Sequence, residues 1–149
     1  VVVNGKKICG ILTEMSAEMA GIHYLVIGTG INTNVEEFPE ELREVATSLI
    51  KELGEKVNRA ELIAVCLKYF EDYYEKYVAA GNLAPLKEDY EALLLNRNNK
   101  VRVLEPGHEY TGRSLGINEE GELLVEKEDG TVTAVYAGEV SVRGVYGYV

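Results

Sequence analysis

The hydrophobic and polar positions of this 149-residue chain change period twice. Over residues 1–34 the apolar residues alternate or come in short runs, which is the pattern of strands. Val1–Val3 leads into Asn4-Gly5, a dipeptide that accepts positive φ at both places and so predicts a tight hairpin. A second strand is predicted over Lys7–Met15. After Ala20-Gly21, the run Ile22-His23-Tyr24-Leu25-Val26-Ile27 is apolar on both faces, which predicts a central strand buried on both sides.

From residue 39 to residue 96 the period is helical. Pro39 suits a first helical turn, and Leu42, Val45, Ala46, Leu49, Ile50 and Leu53 recur at helical spacing before Gly54. Asn58, with Glu61 three residues on, predicts a capped start to a long helix. That helix carries Leu62, Ile63, Val65, Tyr69, Phe70, Tyr73 and Tyr77 and stops at Gly81. A shorter one from Pro85 carries Leu86, Tyr90, Leu93 and Leu94. These faces need a sheet to cover, and the first 34 residues supply one.

Strands return from Arg97. Lys100–Leu104, Glu109–Ile117, Glu122–Lys127, Thr131–Tyr136 and Glu139–Arg143 are separated by turn chemistry: Glu105-Pro106-Gly107-His108, Asn118-Glu119-Glu120-Gly121, Glu128-Asp129-Gly130 and Ala137-Gly138. Five short strands joined this tightly predict a small barrel. The Asn96-Arg97-Asn98-Asn99 cluster is the expected linker, giving domains 1–96 and 97–149. The fold class is α+β, a partial mixed or antiparallel sheet covered by helices and followed by a small β-barrel.

Charge narrows the function classes. Fifteen Lys and Arg stand against 25 Asp and Glu, a net charge of −10. That balance opposes nucleic-acid phosphates and anionic membranes as partners. Cys9 and Cys66 have no metal-ligand spacing and fit a reduced, cytoplasmic protein with two incidental thiols; no metal site is expected. No apolar run approaches membrane-spanning length and no leader pattern occurs. The chain opens directly on a strand at Val1, and a truncated protein is expected.

Two segments carry more than a fold class. The first is Lys7-Ile8-Cys9-Gly10-Ile11-Leu12-Thr13-Glu14, and the second is Gly28-Thr29-Gly30-Ile31-Asn32-Thr33-Asn34. A strand with a lysine and then Gly-Ile-Leu-x-Glu, followed by Gly-x-Gly-Ile-Asn, resembles the catalytic domain of biotin protein ligases. The later landmarks follow in the family's order: Phe38-Pro39, Asn58-Arg59, Ala84-Pro85-Leu86, and Ala137-Gly138-Glu139-Val140-Ser141-Val142-Arg143 near the end. The resemblance covers essentially the whole chain. It implies the C-terminal part of the catalytic domain and then an SH3-like β-barrel.

The resemblance implies an enzyme that joins biotin to ATP, with Mg2+, and passes the biotinyl group to a lysine of a carboxylase carrier domain. Biotin and ATP are then substrates, with no tightly bound cofactor. Two anions must meet, so a fixed cation beside them is required. Lys7 matches the family's essential lysine. Gly10, Ile11 and Leu12, with Gly28, Thr29 and Gly30, match the wall of the biotin pocket. Asn32 and Arg143 match nucleotide-binding positions.

Several residues take plainer roles. Outside the motif Lys7 would be an exposed strand lysine guarding an edge. Gly28-x-Gly30 lacks the following helix that a dinucleotide loop needs. Asn34 reads as a turn or cap, Cys9 as a buried inert thiol, His23 as structural and His108 as solvated. The family's glycine- and arginine-rich adenylate loop and its Trp-Pro-Asn-Asp-like segment have no counterpart here, and the chain has no Trp. The expectation is a fragment with half an active site, inactive alone and prone to self-association. Two alternatives stay open: a non-catalytic module that uses the barrel for protein binding, and an inactive paralogue.

Overall fold

The computed structural model describes residues 1–18, 21–105 and 107–136, and residues 141–144 as a backbone strand. The chain divides into two compact units, Val1–Leu62 and Ile63–Val149.

In the first unit, β1 (Val2–Val3) and β2 (Lys6–Lys7) form the expected hairpin. Its turn residues take φ values of 49° at Asn4 and 77° at Gly5, the positive values for which the dipeptide is suited. The chain then leaves that ribbon at Ile8, which is buried. It continues as β3 (Cys9–Glu18), paired antiparallel with β4 (Gly21–Ile31). The strand predicted over Lys7–Met15 is thus two strands in two sheets, with Lys7 on the shorter. Backbone bonds explain the break: the Ile8 N–H donates to the Val1 carbonyl, and the Ile8 carbonyl accepts from the Asn32 N–H.

Burial of β4 on both faces is not observed. Among the described residues β4 pairs with β3 alone, and Leu25, Val26 and Ile27 remain 46–53% exposed. An apolar run reports what a strand prefers to touch, and these residues have a single neighbouring strand to touch.

The helix predicted from Pro39 to Gly54 is also broken. A 3-10 turn (Glu40–Leu42) comes first and α1 (Leu49–Leu53) last. Between them the backbone is diverted to β2: the Lys7 N–H donates to the Val45 carbonyl and the Thr47 N–H to the Lys7 carbonyl, at 2.7 and 2.9 Å. Ala46 and Lys7 form an isolated parallel bridge. Those bonds commit residues 45–47 to an extended path, and Ser48 stays extended as the N-cap of α1 (φ −141°).

The next helix, α2 (Arg59–Ala80), starts and stops as expected. Asn58 Oδ1 accepts from the Ala60 N–H, and Gly81 ends the helix at φ 74° with its N–H on the Tyr77 carbonyl. No described helix is long and apolar enough to cross a membrane.

In the second unit α3 (Ala84–Leu93) precedes β5 (Lys100–Leu104), β6 (Tyr110–Ile117), β7 (Leu123–Glu126), β8 (Val132–Val135) and β9 (Ser141–Gly144). The sheet order is β8-β7-β6-β5-β9, antiparallel throughout. Val101, Val103 and Val125 form its buried centre, with Tyr110, Leu123 and Val135 packed around them. Alternation in β5 puts Val101 and Val103 inside and Lys100 and Arg102 outside. The five strands agree with the sequence to within two residues at each end.

Residues 96–99 form a fixed turn against β6. Ser114 accepts from the Asn98 N–H at 2.7 Å and donates its own N–H to the Asn99 carbonyl at 3.0 Å. The Asn99 side chain closes the turn on the Leu95 carbonyl. The carboxylate of Glu91 in α3 accepts the Ile117 N–H, and the Leu83 N–H donates to the Glu119 carbonyl. Helix α3 is therefore bonded to β6 and to the turn that follows it. Pro106, Ala137–Val140 and residues 145–149 lie outside the described residues, and with them two of the predicted turns in whole or in part.

Candidate functional site

Six of the residues singled out in the sequence are brought into one register on β3 and β4. Gly10 faces Gly30, Ile11 faces Thr29 and Leu12 faces Gly28 as cross-strand partners. Two motifs separated by about 18 residues thus become one ladder. Ile11 and Leu12 are more than 60% exposed and lie on opposite faces of the strand, so each face of this ladder presents an apolar side chain.

The three glycines of the ladder leave open ground. A methyl group on Gly28 would meet only the Leu12 carbonyl, at 3.7 Å, and one on Gly30 only the Gly10 carbonyl, at 3.8 Å. Both are ordinary contact distances, and none of the three has a positive φ. Among the described residues, neither packing nor backbone conformation demands glycine there. Gly112 and Gly116 of β6 differ, because a methyl on either would collide with Val125 and Glu126, or with the Glu91 carboxylate. A glycine that the fold does not require fits a place where another molecule approaches the backbone.

Lys7 reaches this ladder from the neighbouring hairpin. Its side chain is exposed and lies over Gly10: a methyl there would stand 3.7 Å from Lys7 Cε and 3.9 Å from Nζ. A cation is thereby held on the face of the ribbon that carries Gly10, Leu12, Gly28 and Gly30. That is suitable ground for a ligand with an apolar body and an anionic end.

Asn32 follows the ladder at the end of β4 and is half-buried. Its Nδ2 donates to the Thr47 carbonyl at 3.0 Å, its N–H to the Ile8 carbonyl, and its carbonyl accepts from the Leu49 N–H. Asn32 therefore joins β4 to the segment that holds Lys7, and its Oδ1 is the side-chain oxygen left to meet a ligand.

Arg143 is placed by its backbone opposite Arg102 in the β5–β9 pair. Its side chain lies outside the described residues. Asn34 is neither a local turn nor a helix cap: both its side-chain polar atoms bond the backbone of Val57, 23 residues on, so its role is a structural tie. Cys9 is buried and Cys66 exposed, and both are free thiols. His23 lies 3.4 Å from Glu18 in an exposed pair. The described residues contain no group of three or more His, Cys, Asp or Glu that could hold a metal ion.

Sequence reasoning missed Thr47, Ser48 and Glu52. Thr47 and Ser48 are the most buried polar residues of the first unit. The Thr47 hydroxyl donates to Glu52 Oε1 at 2.5 Å, the Asn4 amide donates to Glu52 Oε2 at 2.7 Å, and the Ser48 hydroxyl donates to the Val35 carbonyl at 2.6 Å. The hydrogen bonds from Thr47 and Asn4, and then the positive charges of Lys6 and Lys51, hold the Glu52 carboxyl below its ordinary range. The available signal was the break in helical character at Thr47-Ser48, two residues that favour caps over helix interiors.

The comparisons with known proteins agree on one family. Residues 98–143 match the family described as biotin protein ligase C terminal domain. The bifunctional ligase/repressor BirA of Bacillus subtilis is 38% identical over 142 residues, covering 94% of this chain and 43% of that protein. BirA of Escherichia coli is 30% identical over 138 residues, covering 93% and 42%. Among solved structures, the apo biotin protein ligase from Aquifex aeolicus aligns with a TM-score of 0.80 at 30% identity, over 95% of this chain and 61% of that one. The same enzyme in complex with biotin and ATP aligns with a TM-score of 0.80. The chain spans less than half the length of these curated relatives.

Proposed function

We propose that this chain, which has the sequence and fold of a biotin protein ligase C-terminal region, supplies one wall of a site that activates biotin with ATP. Activation gives biotinyl-adenylate, and the biotinyl group then passes to a lysine of a carboxylase carrier domain. The observation that carries the reading is the position of Lys7 over Gly10, one of three ladder glycines that no contact among the described residues requires. In support, a relative of the same fold is a biotin protein ligase in complex with biotin and ATP.

In this reading Gly10, Ile11 and Leu12 line the biotin pocket, with Gly28, Thr29 and Gly30 beside them. Lys7 sits where the biotin carboxylate meets the α-phosphate. A carboxylate oxygen attacks phosphorus and pyrophosphate leaves, so two anions must be brought together and then stabilised as charge shifts. A fixed ammonium serves both needs as a point charge. In the second step the acceptor amine attacks the acyl carbonyl and the adenylate leaves. Asn32 and Arg143 are assigned to the nucleotide. Mg2+ would arrive on ATP, since it binds mostly through phosphate and water with few protein oxygens, and Asn32 Oδ1 is a suitable one.

Residues 1–96 are then part of the catalytic domain and 97–149 an SH3-like barrel. We place the protein in the cytoplasm and expect a homodimer. The chain spans 43% of the Bacillus subtilis relative, and we propose that its residues form part of the pocket. Calorimetry with biotin and a non-hydrolysable biotinyl-adenylate analogue tests the site. Lys7→Ala is expected to weaken analogue binding by about tenfold or more, the worth of one charge-assisted hydrogen bond. Equal binding by variant and parent would remove Lys7 from its role.

A further inference from the structure

We infer that Glu52 is a positioning residue for Lys7: its carboxylate closes a ring of hydrogen bonds that fixes the short strand carrying that lysine. The inference rests on the role given to Lys7 above and concerns how that residue is held.

Strand β2 has two residues and pairs with another of two. A ribbon of that size does not hold its own geometry in water. Lys7 is held from the other side, with its N–H on the Val45 carbonyl and its carbonyl accepting from the Thr47 N–H. Glu52 ties down both approaches to this contact. One oxygen accepts from the buried Thr47, and the other accepts from Asn4, in the turn that feeds β2. The closed path runs from Asn4 through β2 to Lys7, across to Thr47, and through the Glu52 carboxylate back to Asn4. The Thr47 carbonyl also receives the Asn32 amide. One carboxylate therefore sets the relative places of the cation and of the asparagine assigned to the nucleotide. A glutamate merely solvated on a five-residue helix would not span partners 5 and 48 residues away.

An exchange of donor and acceptor tests this in the full 149-residue chain. Asn4→Asp sets a second carboxylate against Glu52 and keeps the turn, since Asp tolerates positive φ nearly as well as Asn. The double variant Asn4→Asp with Glu52→Gln restores the pattern with roles reversed: the new amide donates to the new carboxylate, and its carbonyl still accepts from Thr47. Amide exchange followed by NMR should speed up at Lys7 and Thr47 by about tenfold in Asn4→Asp, as for one lost hydrogen bond. It should return to within about threefold of the parent in the double variant, while Val101 and Val125 stay unchanged. Binding of the biotinyl-adenylate analogue should fall and recover in parallel.

Unchanged Lys7 exchange in Asn4→Asp, or no recovery in the double variant, would overturn the inference. So would exchange that rises evenly over residues 1–62, because that is loss of fold and not of one strand's placement. If Lys7→Ala leaves analogue binding intact while the exchange pattern appears as expected, the role of Lys7 fails and the ring stands as a purely structural clamp.

Discussion

The side chain of Lys7 lies over Gly10, with space between them for one methyl group: its centre would be 3.7 Å from the lysine Cε and 3.9 Å from Nζ. Gly10→Ala is therefore accommodated without a clash. Replacing a strand glycine removes backbone freedom from the unfolded chain, so stability should hold or rise by about 0.5 kcal/mol. If biotin approaches the backbone there, the same methyl occupies its space, and analogue binding should weaken by about tenfold or more, as when one close apolar fit is spoiled. Thermal unfolding and calorimetry on the same variant check the two signs. A variant that is more stable and binds equally well would show that no ligand approaches Gly10.

How much of this was legible in the sequence differs by residue. Gly10, Gly28 and Gly30 could be picked out by motif, but their pairing as Gly10 with Gly30 and Leu12 with Gly28 depends on register, which no spacing rule supplies. The helix predicted from Pro39 failed because Val45 and Thr47 spend their backbone groups on Lys7, a contact 38 or more residues away that hydrophobic period cannot register. Glu52 reads as a surface residue of a short helix, and only the fold brings Asn4 and Thr47 to it. The caps and turns were legible, at Asn58, Gly81 and Asn4-Gly5, because their chemistry is local.

A second prediction concerns Glu91 and Gly116. Glu91 has a side chain only 10% exposed; Oε1 accepts the Ile117 N–H at 3.0 Å and Oε2 lies 3.0 Å from the Arg97 guanidinium. Glu91→Ala strands a buried N–H and should cost about 2–4 kcal/mol. Gly116 has a φ of 130° and sits against that carboxylate. Gly116→Ala adds both a collision and a strained backbone, of order 1–3 kcal/mol for the strain alone. With both changes together the collision is relieved and the strain remains, so the combined loss should be smaller than the sum. Urea midpoints of the four proteins check this.

Acid should loosen the first unit through Glu52. Its folded-state pKa is lowered, chiefly by the hydrogen bonds from Thr47 and Asn4. A depressed carboxyl pKa means that stabilisation is fully present above the unfolded value and is lost as pH falls through the folded one. The parent should thus lose Lys7 amide protection on acidification below the ordinary glutamate range. Glu52→Gln should show a flatter response over the same interval. Exchange measured across that interval is the check, and parallel curves for the two proteins would assign the acid response to other groups.

The last prediction starts from the β3–β4 ribbon. Among the described residues each of these strands pairs only with the other, and Ile11, Leu12, Met15, Ile22, Tyr24 and Leu25 are all more than half exposed. Apolar surface of that extent, next to unpaired strand edges, favours association in water. The chain should elute with an apparent mass that grows with concentration. Met15→Lys and Leu25→Lys, which are cross-strand partners outside the Gly10–Gly30 ladder, would set like charges opposite each other, so they should be made singly. Each should shift elution toward the monomer and leave unfolding of the five-stranded sheet unchanged, because the buried centre at Val101, Val103 and Val125 is in the other unit. The net charge of −10 would fall in magnitude with either lysine, which by itself promotes association. A shift toward monomer would therefore come against the change in net charge and would identify the apolar ribbon as the cause. Elution as a clean monomer by the parent at high concentration would show that the ribbon does not drive association.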